Sequence, residues 1–177
     1  DQIGKNIGIA AHWGAYLISM DDGKTSRMPG AGAGFISFSP DGRLVAAESY
    51  GQIPLWDPVT NKIRILTKNK NLGGITGLQF ASDGTLFSAH EDGSVYQWDV
   101  EKETNRLVAK GSKPAWIKIP GKNPNLLICY WMNPAGDIQK RTSELTVVNL
   151  KTGKSYPITT HGNRVCTLDV DPSGTIL

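Results

Sequence analysis

Cysteine and long apolar runs are both scarce in this 177-residue sequence. The two cysteines, Cys129 and Cys166, lie in short apolar runs, and we interpret both as small buried hydrophobes. Two such residues do not make a disulfide framework and say little about the compartment. No apolar run approaches the roughly 18 residues of a membrane helix, and no secretory leader opens the sequence. We therefore expect no membrane contact, and the compartment stays open with the cytoplasm favoured.

Charge of one sign is also scarce. The 19 basic and 16 acidic residues give a formal net charge of +3. A nucleic-acid binder usually concentrates its basic residues in a stripe, whereas this sequence has only short clusters such as Lys68-Asn69-Lys70 and Lys140-Arg141. Nucleic acid is therefore not expected to be a partner.

Motifs for catalysis and metal binding are missing. The three histidines, His12, His90 and His161, lie in separate units, whereas a zinc site needs ligands at tight spacing or several that converge. The sequence contains no Cys-x-x-Cys, His-Glu-x-x-His or Gly-x-Ser-x-Gly motif. The glycine-rich segment Ala31–Gly34 precedes a predicted strand, so it lacks the helix N-terminus that binds phosphate. The sequence thus predicts no catalytic, metal or cofactor site, and a protein that is not an enzyme.

The sequence does contain a repeat. Ser39–Gly42 is matched by Ala81–Gly84, and Trp56-Asp57 is matched by Trp98-Asp99, so two landmarks recur 42 residues apart. A third unit keeps the pattern less strictly, with Val148 in place of the tryptophan. Partial units are predicted at both ends of the sequence.

Apolar residues alternate within each unit. Ile36 and Phe38 share one face, as do Leu78 and Phe80, and this period of two predicts β-strands. Turns such as Pro-Asp-Gly and Lys-Thr-Gly separate the strands, so each unit is predicted to be four short antiparallel strands of a single all-β region. The predicted units are a partial one over 1–32, full ones over 33–74, 75–113 and 114–162, and a partial one over 163–177.

The 42-residue spacing, the Trp-Asp ending and the Ser-Pro-Asp-Gly turn resemble the WD-repeat β-propeller family, and its bacterial type in particular, over nearly the whole chain. The resemblance implies four-stranded blades packed face to face around a central channel. It also implies structural roles for Trp56 and Trp98, and places Ser88 and Asp92 in a buried hydrogen-bonded set with Trp98. The histidine that family blades have before their first strand is missing from its place in this unit, where residues 70–74 stand.

Propellers hold about four to eight blades, and this sequence has three full units with a partial one at each end. We therefore expect a fragment of a longer chain, with a ring closed by the rest of that chain or by a second copy. The alternative is a four-bladed ring in which the C-terminal strand completes the N-terminal blade and covers the open sheet edges.

In the family, the loops between second and third strands, and those leading into first strands, lie on one rim. Here they carry the aromatic and basic side chains that interface hot spots favour. The candidate partner-binding residues are Trp13, Tyr50, His90, Trp116, Trp131, Lys140, Arg141 and Arg164. Trp131 has the alternative of finishing an apolar strand, and Trp116 that of local repacking. Residues 133–143, the surplus of the third unit, are predicted to form an exposed loop that docks a partner.

The resemblance and the missing catalytic motifs together predict a protein–protein interaction scaffold, which presents a composite loop surface to a protein or peptide. The alternative is a sensor or regulatory propeller attached to an enzyme such as a kinase or hydrolase, or a propeller that binds a small ligand.

Overall fold

The computed structural model describes residues 5–11, 13–30, 32, 34–66, 73–111, 115–121, 123–132 and 143–158. Every regular element in these residues is a β-strand, so they contain no helix that could span a membrane. The strands are β1 (Asn6–Ala11), β2 (Gly14–Ser19), β3 (Thr25–Arg27), β4 (Ile36–Phe38), β5 (Val45–Ala47), β6 (Pro54–Asp57), β7 (Lys62–Ile65), β8 (Ile75–Phe80), β9 (Leu86–His90), β10 (Ser94–Asp99), β11 (Thr104–Lys110), β12 (Ala115–Lys118), β13 (Leu126–Met132), β14 (Ser143–Asn149) and β15 (Ser155–Ile158).

The strands form four sheets in chain order, and each sheet is an antiparallel meander. The first sheet contains β1 to β3, the second β4 to β7, the third β8 to β11 and the fourth β12 to β15. The prediction of an all-β chain of four-stranded antiparallel blades is therefore confirmed. The blade boundaries stay a prediction, and the partial unit predicted over 163–177 lies outside the described residues.

Aspartate and glycine together form the tight turns between first and second strands. The Asp41 carboxylate accepts the N–H of Arg43 at 3.1 Å, and the Asp83 carboxylate accepts that of Thr85 at 2.9 Å. The glycine after each aspartate has a positive φ, 71° and 87°, which residues with a side chain rarely adopt. These aspartates thus act as turn formers, as their place in the repeat indicates.

Neighbouring sheets stack face to face and enclose separate apolar cores. Successive strand residues point to opposite faces, so each sheet contributes one set of side chains to the core before it and another to the core after it. The core between the first and second sheets includes Ala15, Leu17, Met28, Val45, Ala47 and Trp56. The core between the second and third includes Ala46, Leu55, Ile75, Leu78, Phe80, Leu86 and Trp98. The core between the third and fourth includes Phe87, Ala89, Val95, Leu127, Cys129, Trp131 and Val148.

Trp56 and Trp98 occupy matching places in their sheets. Trp56 pairs with Val45 across β6 and β5, and Trp98 pairs with Leu86 across β10 and β9. Both side chains are almost fully buried, with exposed fractions of 2% and 1%. Val148 holds the same place in the fourth sheet, where its smaller side chain packs against the third sheet.

Polar side chains bind the first strands of neighbouring sheets to each other. The Ser37 hydroxyl on β4 accepts the backbone N–H of Phe80 on β8 at 2.9 Å. Gln79 holds the matching place on β8, and its amide binds Ile119 twice. Its Oε1 accepts the Ile119 N–H at 3.0 Å, and its Nε2 donates to the Ile119 carbonyl at 3.2 Å. These bonds satisfy backbone groups along the first strands that no partner strand reaches.

Cys129 is fully buried in the core between the third and fourth sheets. Burial raises the pKa of its thiol to about 12, so the reactive thiolate is hardly populated at neutral pH. The interpretation of Cys129 as a small buried hydrophobe is therefore confirmed, whereas Cys166 lies outside the described residues.

Candidate partner-binding rim

Turns at one end of the first three sheets form a common rim. The connections between sheets reach the same rim, because the Gly32 N–H bonds to the Ser49 hydroxyl at 3.4 Å and the Gly74 N–H bonds to the Glu91 carboxylate at 3.2 Å. The rim turns join β1 to β2, β5 to β6 and β9 to β10, and they contain Trp13, Tyr50-Gly51 and Glu91–Gly93.

Part of the predicted site falls outside the described residues. This holds for residues 133–142 and for the candidates Lys140, Arg141 and Arg164. Ser143, the last residue of the predicted exposed loop, is instead the buried first residue of β14. Their contact with a partner stays a prediction.

Trp13 and Tyr50 are both exposed on the rim, with exposed fractions of 74% and 88%. Tyr50 and Gly51 have φ angles of 50° and 77°, and Ser49 pairs with Gln52 across them, which is the geometry of a type I′ turn. The left-handed conformation disfavours a residue with a side chain by about 1 to 2 kcal/mol. The chain thus holds an exposed tyrosine at a position better suited to asparagine or glycine.

Glu48 and Ser49 hold the Tyr50 turn against the glycine-rich connection from the first sheet. The two carboxylate oxygens of Glu48 accept the N–H of Gly34 at 3.0 Å and that of Gly51 at 3.2 Å. The Ser49 hydroxyl donates to the Gly30 carbonyl at 3.3 Å. Because these bonds cross between segments, the Tyr50 side chain projects from an ordered base.

Arg27 supports the Trp13 turn in the first sheet. Its Nη2 donates to the Trp13 carbonyl at 2.8 Å, and its guanidinium carbon lies 5.9 Å from the centre of the Tyr16 ring. Such stacking over an aromatic face is a cation–π contact. Arg27 was not predicted from the sequence, because its partner on the rim is a backbone carbonyl 14 residues away.

Asp92 and Lys110 form an ion pair at the rim of the third sheet. The Lys110 ammonium lies 2.6 Å from the Asp92 carboxylate and also donates to the Asp92 carbonyl at 2.8 Å. Burial by itself raises the pKa of Asp92, but hydrogen bonds from Lys110 and Ser94 outweigh it and lower the pKa to about 2. The ionised form of Asp92 is therefore the one that fastens this turn.

Acid is expected to remove the stabilisation that Asp92 provides. The folded-state pKa lies below the ordinary value of 3.8, so the contribution is present above that value and is lost as the pH falls through the folded pKa of about 2. Asp92→Asn should be less stable than the parent at pH 5, and the gap between their melting temperatures should narrow as the pH falls towards 2. A gap that stays constant over this range would show that the Asp92 charge does not stabilise the fold.

His90 lies inside the protein, which corrects its assignment to the partner-binding surface. The side chain is fully buried, and its Nε2 lies 2.8 Å from the Ser88 hydroxyl. That hydroxyl also accepts the indole N–H of Trp98 at 2.8 Å. A buried hydrogen-bonded set is thus formed by Ser88, Trp98 and a histidine from β9 instead of one before the first strand. Asp92, which the resemblance also places in this set, is not part of it: its side chain is half-exposed and bonds to Lys110 and Ser94. By contrast, the Trp56 indole N–H donates to the Asn61 side chain at 3.1 Å.

Trp131 is also an interior residue, so the alternative that it finishes an apolar strand fits the structure. Its side chain is 6% exposed, and its indole N–H donates to the Gly93 carbonyl of the neighbouring sheet at 2.9 Å. Trp131 lies four residues after Leu127, which pairs with Val148. His90 lies four residues after Leu86, which pairs with Trp98, so Trp131 holds the place on β13 that His90 holds on β9. Its ring packs directly over Gly111.

Trp116 is half-buried and lies on the face of the fourth sheet that points away from the third. Its ring stacks on Tyr130, its cross-strand neighbour, with ring centres 5.3 Å apart and planes 14° from parallel. Ile117 points the other way and packs against the core between the third and fourth sheets. Trp116 is thus not brought together with Trp13 and Tyr50, and its contact with a partner stays a prediction.

The chain is similar to known propeller proteins. Residues 61–99 match the family model of the WD domain, G-beta repeat. The structure of the RRP9 WD40 repeats superposes with a TM-score of 0.72 and 15% identity, over 90% of this chain and 49% of that one. The tricorn protease matches with a TM-score of 0.70 and 14% identity, over 89% and 16% of the two chains. No curated protein sequence matches the chain.

Hydrazine synthase from Kuenenia stuttgartiensis is a further match, with a TM-score of 0.70 and 12% identity, over 89% of this chain and 47% of that one. The chain spans about half of the length of the RRP9 structure. Some of these similar structures are enzymes, whereas WD40 propeller domains generally mediate protein–protein interactions. The chain accordingly carries a WD40 repeat and has the β-propeller fold of WD40 proteins, which confirms the resemblance noted in its sequence.

Proposed function

We propose that this chain is a non-catalytic interaction platform that binds a protein or peptide on the rim containing Trp13 and Tyr50. The observation that carries the proposal is the 88% exposure of Tyr50 at the tip of a turn that adjacent segments hold in place. Aromatic side chains dominate the energetics of many interfaces, and a preformed turn loses little entropy on binding.

The roles of the described carboxylates also favour a platform. Asp41 and Asp83 close turns, Asp92 fastens its own turn to Lys110, and Glu48 accepts two backbone N–H groups. Each of these groups already has a structural partner, which is not the arrangement of a general acid or base poised for a substrate.

A displayed library of random peptides, selected against the intact protein, tests this proposal. Peptides that bind the rim should lose at least about tenfold in affinity when Trp13→Ala and Tyr50→Ala are combined, since central aromatic anchors often contribute more than 1 kcal/mol each. Affinities of the selected peptides for parent and variant can be measured by fluorescence anisotropy.

Val59→Ala provides the matched control. Val59 is 90% exposed in the turn between β6 and β7, at the opposite end of the second sheet from Tyr50. Peptides that tolerate the Trp13 and Tyr50 changes but not the Val59 change would place binding on the other rim and overturn the proposal.

A further inference from the structure

The first sheet has an apolar face that points away from the second sheet. Ile7 pairs with Ile18 and Ile9 pairs with Tyr16 across β1 and β2, so these four side chains share one face. Leu17 lies on the other face, in the core shared with the second sheet. Ile7 and Ile9 are 47% and 42% exposed, so the outer face presents neighbouring apolar side chains to solvent.

The same positions are buried in the other three sheets. Ile18 matches Val148, because the turns that follow these two residues have the same pair of backbone hydrogen bonds. The pairs that correspond to Ile7 and Ile18 are Val45 with Trp56, Leu86 with Trp98, and Leu127 with Val148. These six side chains are at most 4% exposed, and each packs against the preceding sheet. The outer face of the first sheet therefore has the residues of a face that another sheet covers.

A second copy of this chain has the length and the surface to cover this face. The chain spans 49% of the RRP9 structure and 47% of hydrazine synthase, so two copies reach about the length of one such chain. The far end of the stack is the fourth sheet, whose outward face contains Trp116 stacked on Tyr130. If each copy places this end against the first sheet of the other, the same contact forms twice and the pair closes on itself. Two such contacts also double the area buried, which matters because one face of three short strands is small for a stable dimer.

We propose that the outer face of the first sheet binds a second copy of this chain, head to tail, so that two copies close one ring. Burial of Ile7, Ile9 and Ile18 drives the association, since each removes apolar surface from water. The inference is independent of the proposed function, because Trp13 and Tyr50 lie in rim turns and not on this face.

Sedimentation equilibrium of the 177-residue chain tests the inference, with a reducing agent present so that no disulfide contributes. At about 100 μM the mass should be twice the 19.2 kDa of one chain, and it should fall on dilution. Ile9→Lys places an unpaired charge within the contact and should raise the dissociation constant at least about tenfold. Ile65→Lys is the matched control, since Ile65 is 41% exposed on β7, in a sheet that has a neighbouring sheet on each face.

Circular dichroism at a concentration where the parent is monomeric checks that Ile9→Lys keeps its fold. If it does not, Ile9→Thr keeps a β-branched side chain and should weaken the dimer by about threefold. A parent that stays monomeric would overturn the inference and leave this face to a different occupant, such as residues of a longer chain. Dimers of unchanged affinity in the folded Ile9 variant, or masses that rise beyond two copies, would also overturn it. The combined Trp13→Ala and Tyr50→Ala variant should still dimerise.

Discussion

Replacing Trp98 with alanine is expected to lower the free energy of unfolding by about 3 to 5 kcal/mol. The side chain is 1% exposed and packs between the second and third sheets against Leu55 and Phe80. Its removal leaves a large cavity and takes away the donor that bonds to the Ser88 hydroxyl. Urea unfolding followed by circular dichroism measures the change.

Two variants control the Trp98 experiment. Trp13→Ala removes a tryptophan that is 74% exposed and should change the stability by less than about 0.5 kcal/mol. Ser88→Ala keeps the indole but leaves buried polar atoms of Trp98 and His90 with one partner fewer, at a cost of about 1 to 3 kcal/mol. A loss below about 1 kcal/mol for Trp98→Ala would contradict the packing described for this core.

The second large effect is expected for Gly111→Ala, which should destabilise the protein by about 1 to 3 kcal/mol through overpacking. A Cβ at position 111 would overlap the Trp131 ring. The ring has little freedom to move, because it is 6% exposed and its indole N–H is bonded to the Gly93 carbonyl. Thermal unfolding of the single variants and of a double variant measures the coupling.

The double variant identifies the cause. In a Trp131→Leu background the added methyl group has room, so Gly111→Ala should then cost less than about 0.5 kcal/mol. Gly121→Ala is the control, since nothing lies within 4 Å of a Cβ placed there. An equal cost of Gly111→Ala in both backgrounds would show that the Trp131 ring is not what the new methyl group meets.

The strand pattern of this protein was predictable because both of its signals are local. Side chains alternate with a period of two along each strand, and aspartate with glycine forms the turns. The 42-residue recurrence of Trp56 and Trp98 then placed the two residues in matching positions, which the pairing with Val45 and Leu86 confirms.

The exposure of the rim candidates was predicted correctly only in part, because the last residue of a strand and the first residue of a turn are neighbours in the sequence. Trp13 and Tyr50 lie within turns and are exposed. His90 and Trp131 are the last or nearly last residues of β9 and β13, so their side chains still alternate into the core. Counting in steps of two from Leu86 through Ser88 would have placed His90 in the interior.

The hydrogen-bond partners of the buried residues were harder to predict from the sequence. The Trp98, Ser88 and His90 bonds join residues of one hairpin, but the Trp131 bond to Gly93 crosses between sheets over 38 residues. Such contacts depend on how two sheets stack, which no spacing within one repeat specifies. The proposed roles of Lys140, Arg141 and Arg164 stay predictions because these residues lie outside the described part of the chain.

The two hydrogen bonds between the Gln79 side-chain amide and the Ile119 backbone have a mechanical consequence. Sliding the third sheet against the fourth would break both hydrogen bonds at once, whereas a small splaying of their outer strands would leave both intact. The two bonds therefore resist sliding of the two sheets near their first strands more strongly than they resist splaying of the outer strands.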